Sequence, residues 1–201
     1  MRFKYILLLL SMVIPGLMAS AHALNVDSLV DSLGISRSAT APAAGEVEVS
    51  FSPDEGGEAL VLKVIGSAKH SLRLMAYSFT SKPVVKALVE AKRRGVDVRV
   101  VVDHKSNVTE DRSGKAKAAL NLLVNAGIPT RTISAYPIFH DKAIIVDGRT
   151  VETGSFNYSY SAAHRNSENV LVLWNNPKIA TAYQEHWQSR FKRGVDYRST
   201  Y

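Results

Sequence analysis

Cysteine is absent from the 201-residue sequence, which excludes disulfides, thiolate metal sites and a cysteine nucleophile. No apolar run reaches the roughly 20 residues that a membrane-spanning helix needs. There is no internal repeat, no carboxylate cluster with the spacing of a metal site, and nothing that reads as a base-recognition module. Beyond the N-terminal leader, no amphipathic helix carries the aromatic anchors of an interfacial segment. Acids are the scarcer charge, 18 Asp and Glu against 25 Lys and Arg, for a formal net charge of +7. That balance points to an anionic partner, either nucleic acid or a lipid headgroup surface.

The leader itself is informative. Arg2 and Lys4 precede an apolar run from Tyr5 to Met18, broken by Pro15-Gly16, and Ala21-His22-Ala23 supplies a small-x-small cleavage signal. This is the layout of a secretory signal peptide over residues 1–23, so the chain is expected to be exported, periplasmic or secreted. A retained anchor is the alternative. Residues 24–45 are rich in Ser, Ala and Thr, with Pro42 and Gly45 near the end, and read as a linker. One domain is expected from Glu46 to Tyr201. Its 46% hydrophobic and 21% charged content is that of a globular chain able to bury a core.

Within that domain, strand and helix patterns alternate. Val47, Val49 and Phe51 recur at every second residue, as in a half-buried strand. Helical spacing follows from Gly57 to Lys69, a strand from Ser71 to Phe79, and a helix from Lys82 to Arg94 with Pro83 in its first turn and Gly95 at its end. A Val-rich strand (Val96–Val102) is typical of one covered on both faces. Then come a helix to Ala126 and a strand to Ile133. Strands are expected at Ile138–Val146, Thr150–Gly154 and Glu168–Trp174, and a last helix from Pro177 to Lys192. The βαβαβ opening predicts an α/β fold, a mixed β-sheet sandwiched between helices.

The chemistry concentrates in His140-Asp141-Lys142-Ala143-Ile144-Ile145-Val146-Asp147 and, soon after, Gly154-Ser155-Phe156-Asn157. On a strand, His140 and Lys142 share a face while Asp147 turns to the other, so Asp147 is read as positioning the strand end. A His and a Lys at the end of an otherwise apolar strand are costly unless something uses them. Gly154 permits close backbone approach, and Ser155 and Asn157 again stand two residues apart. An imidazole, an ammonium and neutral hydrogen-bonding groups suit a phosphodiester. In this arrangement Lys142 and Asn157 hold the non-bridging oxygens and His140 attacks phosphorus.

An HxKxxxxD motif followed by GSxN resembles the signature of the phospholipase D superfamily, and the text from Val47 onward resembles its short, single-motif bacterial endonucleases. The resemblance implies one phospholipase D-like domain and a metal-independent, cofactor-free reaction through a phosphohistidine. It carries over His140, Lys142, Asp147, Ser155, Asn157 and Glu168 as the site, with Lys142, Ser155 and Asn157 on the phosphate. Glu168 matches the carboxylate that hydrogen-bonds the imidazole. Most members have two motif copies and this chain has one, so the resemblance implies a homodimer whose two His140 rings meet at one site. His70, His104, His164 and His186 match nothing in the motif and are read as surface or packing residues.

The motif names the bond broken but not the alcohols on either side. DNA, and RNA with it, is the expected substrate, bound through its backbone by groups such as Lys92, Arg93, Arg94, Lys115, Lys117, Arg131 and Arg165. A phospholipid headgroup is the alternative substrate, and a non-catalytic nucleic-acid-binding protein the third reading.

Overall fold

A computed structural model describes residues 45–199, so the expected signal peptide and nearly all of the linker lie outside the described residues. The described chain builds one eight-stranded sheet in the order β1-β7-β6-β5-β2-β3-β4-β8. Its strands are β1 (Val47–Ser52), β2 (Ser71–Ala76), β3 (Asp97–Asp103), β4 (Thr130–Ile133), β5 (Lys142–Val146), β6 (Thr150–Gly154), β7 (Glu168–Leu173) and β8 (Val195–Asp196). Strands β2, β3 and β4 run parallel, and the remaining pairings are antiparallel. Helices α1 (Gly57–Ser67), α2 (Lys82–Arg93), α3 (Lys115–Asn125) and the short α4 (Tyr160–His164) join the strands, and α5 (Pro177–Arg193) returns across the sheet. The expected α/β sandwich is present.

Local chemistry explains the helix ends. Ser81 caps α2 by accepting the Val84 amide at 3.3 Å, and Asn176 caps α5 by accepting the Ile179 amide at 3.2 Å. A proline occupies the first turn of each. The larger core sets Leu60, Val64, Leu88, Leu120 and their neighbours against the face carrying Leu72, Leu74, Ile144 and Val172. The opposite face, with Met75, Val101, Ala143, Ile145 and Val151, is covered by Ala180 and Trp187 of α5.

Two expectations change. Strand β1 forms where the alternation places it, but inside out. Val47, Val49 and Phe51 are 58%, 55% and 49% exposed, while Ser52 is buried. Register explains this: the row Met75–Ala143–Thr153–Leu171–Val49 lies on the α5 face, and α5 crosses it only as far as β6. Strand β5, expected from Ile138, begins at Lys142, because β2 ends at Ala76, the partner of Lys142, and leaves residues 138–141 without a neighbour. His140 therefore precedes the strand.

Candidate active site

The C-terminal ends of β2 and β3, the N-termini of β5 and β7 and the C-terminal end of β6 share one edge of the sheet. Lys142 opens β5 there, 7% exposed. Its Nζ donates to the His140 carbonyl at 3.0 Å and lies 3.3 Å from both ring nitrogens of His140. Burial holds the Lys142 ammonium below the usual lysine pKa, while the charges of Glu168 and Asp141 pull it back up. The Tyr77 ring completes the cluster, with its centroid 4.7 Å from that of His140 and 5.6 Å from Lys142 Nζ. The His140 ring is otherwise exposed, at the mouth of a cleft of about 490 Å³ bounded by Met75, Thr153, Tyr183 and His186.

Gly154 lets β6 and β7 close up at this edge, since an added Cβ would sit 2.2 Å from the Asn169 carbonyl oxygen. The residues after it do not all act as the motif implies. Ser155 Oγ donates to Glu168 at 2.5 Å and accepts the Asn169 amide at 3.1 Å, so its one proton is directed to a carboxylate and not to a phosphate. Glu168 takes a second bond from Asn166 Nδ2 at 2.9 Å. With those two donors in place, the expected Glu168–His140 hydrogen bond is not made among the described residues, and Glu168 meets the pair through its charge on Lys142. The buried Oδ1 of Asn157 has no protein partner, consistent with a side chain whose polar groups await a ligand.

Asp147 does not join the cluster. It follows the far end of β5 and accepts backbone amides from Lys69, His70 and Ser71 at 3.0, 2.8 and 2.8 Å. Burial works against its charge, but those amides outweigh burial and hold the carboxyl below the usual range. Its place among the catalytic residues is corrected to a splice between β5 and β2, as its alternation away from His140 anticipates.

Three positioning residues escape the sequence reading. Asp103, at the end of β3, accepts the Phe139 amide at 2.9 Å and the Ser106 amide at 2.6 Å, and so holds the segment carrying His140. Asn107, fully buried, donates to the Tyr77 and Asp103 carbonyls at 2.6 and 2.8 Å and accepts the Phe79 amide at 2.9 Å. Through those bonds it fixes Tyr77 against His140. His186, read as a surface or packing residue, lines the cleft and pairs with Asp141 at 2.9 Å. His164 pairs with Asp54 and His104 with Thr132, at 2.8 and 3.1 Å, and neither lines the cleft.

An imidazole backed by a buried ammonium at the edge of such a sheet is a nucleophile site for phosphoryl transfer. Residues 61–191 match the family described as cardiolipin synthase, PLD-like domain. The chain belongs to the phospholipase D superfamily. Like other members it is a hydrolase acting on phosphodiester bonds. It is 35% identical over 144 residues to a phospholipase D of Rickettsia prowazekii (strain Madrid E), covering 72% of this chain and 67% of that one. A mitochondrial cardiolipin hydrolase of Xenopus laevis is 31% identical over 135 residues, 67% of this chain and 60% of its own. Among solved structures, the phospholipase D family member Nuc from Salmonella typhimurium is 52% identical, with a TM-score of 0.73 over 77% of this chain and 99% of its own.

Proposed function

We propose that this superfamily member is an exported endonuclease that hydrolyses DNA, and RNA with it, non-specifically through a phosphohistidine, as a homodimer with one shared active site. The His140–Lys142 pair carries this reading, because its open, exposed position at the cleft mouth suits a long polymer crossing the sheet edge. His140 attacks phosphorus, and the leaving alkoxide takes a proton from a second imidazole. That imidazole then takes a proton from water, whose oxygen attacks the phosphorus–nitrogen bond and releases His140. Lys142 and the Asn157 amide neutralise and hold the non-bridging oxygens.

A second His140 has to come from a second copy of the chain. The uncovered apolar face of β1 and β7 supports this arrangement. Val47, Val49 and Phe51 with Leu171 and Leu173 continue the row of side chains that α5 covers, and they end beside the cleft. A self-complementary patch of this kind is what an isologous dimer uses.

A phospholipid headgroup offers the same bond, and the names of the Rickettsia and Xenopus relatives favour that second reading. Plasmid nicking and phosphatidylcholine or cardiolipin hydrolysis, run side by side with EDTA present, separate the two. The nuclease reading expects cleavage of plasmid and of single-stranded RNA, with EDTA making no difference. Lipid turnover without nicking overturns it, and loss of nicking in EDTA overturns the metal-free mechanism.

A further inference from the structure

Along α5, Tyr183, His186, Arg190 and Arg193 follow one another at helical spacing, and the first two line the cleft with His140. Arg190 and Arg193 converge on Tyr136, in the loop between β4 and His140. Their guanidinium carbons stand 5.0 and 5.8 Å from its ring centroid, and Arg193 donates to the Tyr136 hydroxyl at 3.1 Å. Tyr136 in turn stacks on Phe139, the residue before His140, at 6.5 Å and 27°. The second cluster is thus joined to the nucleophile by four residues of chain and one stacked pair.

Charge pairing separates these arginines from the others on the same side of the sheet. Arg73 and Arg99 bond the Asp97 carboxylate at 2.6 and 3.2 Å, and Arg131 bonds Asp196 at 2.6 Å. Arg190 and Arg193 have no carboxylate within ion-pair distance among the described residues, and their side-chain partners are Ser189 and Tyr136. Cations in a last helical turn complement the helix dipole, but that effect does not require two guanidiniums to share one aromatic pedestal. A pair of forks steadied by a ring, with donors left over and no acid to meet them, is suited to a phosphate.

We propose that Arg190 and Arg193, seated on Tyr136, form a phosphate subsite for the strand running away from the scissile bond, so that the substrate is a polynucleotide gripped beyond the nucleotides being separated. The inference rests on the nuclease reading above. From His186 to Arg193 the helix rises about 10 Å, the length of about three stacked nucleotides. The cleft, His186, Arg190 and Arg193 therefore make one continuous track with His140 at its head. The subsite adds no chemistry. It lowers the concentration at which long substrates saturate the enzyme and sets a minimum length for efficient cleavage.

The test uses the whole enzyme, single-stranded oligonucleotides of increasing length, and bis(4-nitrophenyl) phosphate as a diester too small to reach the track. For the wild type, KM is expected to fall as the oligonucleotide lengthens and then level off. In Arg190→Ala/Arg193→Ala, KM for a 12-mer should rise on the order of tenfold or more, from the loss of charge-assisted bonds. The slope of log KM against log salt should lessen by about 1.4, at about 0.7 per phosphate lost. Turnover of the small diester should stay within about twofold, which also reports that the variant is folded. A double variant that matches the wild type on the 12-mer in both KM and salt slope overturns the subsite alone. A wild type that cleaves no oligonucleotide overturns the subsite and the nuclease reading together.

Discussion

A lysine kept from water with its ammonium 3.3 Å from an imidazole is a strained arrangement, because burial disfavours its charge and nothing structural requires it. Asp141, Glu168 and the His140 carbonyl compensate in part, and a bound phosphate would complete the compensation. The His140→Asn variant is expected to lose turnover by on the order of a thousandfold or more while its thermal midpoint stays put, since the ring is exposed. His186→Asn is the discriminating partner. If the general acid comes from a second subunit's His140, this variant keeps turnover within about tenfold, and a loss as deep as that of His140→Asn would instead place both imidazoles in one chain. The motif alone made His140, Lys142 and Asn157 legible, because their spacing fixes their chemistry. It misassigned the Ser155 hydroxyl and the Glu168 carboxylate, because which donor reaches which acceptor is decided where β6 meets β7. Asp103 and Asn107 were illegible for a related reason: they act on the backbone of segments some 30 residues away, as in the Asn107–Tyr77 bond.

At the scale of elements, β6 carries the sharpest conflict between pattern and environment. Glu152 lies between Ile144 and Val172, fully buried, with one carboxyl oxygen unpartnered and the other accepting the Tyr158 hydroxyl at 2.8 Å. Burial raises its pKa to about 8. Between the ordinary carboxylate value and 8 the unfolded chain therefore releases a proton that the folded chain keeps. Stability is highest below that window and falls as pH rises through it, by an amount on the order of a few kcal/mol. Glu152→Gln keeps an acceptor for Tyr158 and carries no titrating proton. Urea unfolding is expected to show the variant close to wild type at pH 4 and more stable at pH 9, and parallel curves across that range would show that Glu152 is not held neutral. The sequence reading passed over this residue because Thr150–Gly154 presents a plain strand. Strand β1 misled it in the opposite direction: alternation located the strand, but only the crossing of α5 decides which of its faces is covered.

For the whole molecule, the proposed dimer ties three separate facts together: one motif copy in the chain, an exposed ring at the head of the cleft, and an apolar row left bare beside it. Half-exposed valines and a phenylalanine on an edge strand are a liability for a monomer, and covering them also brings a second sheet edge toward the first. Assembly and turnover should then fail together. Val49→Lys with Phe51→Glu removes apolar surface from positions that contribute nothing to either core, so the subunit should keep its fold by circular dichroism. Sedimentation is expected to show this variant as a monomer, with activity reduced by on the order of a hundredfold or more, because each chain then holds one His140 and no general acid to serve it. A wild-type chain that sediments as a monomer at full activity excludes the shared site. So does a dimer that survives both charges, because the partner would then sit on some other face.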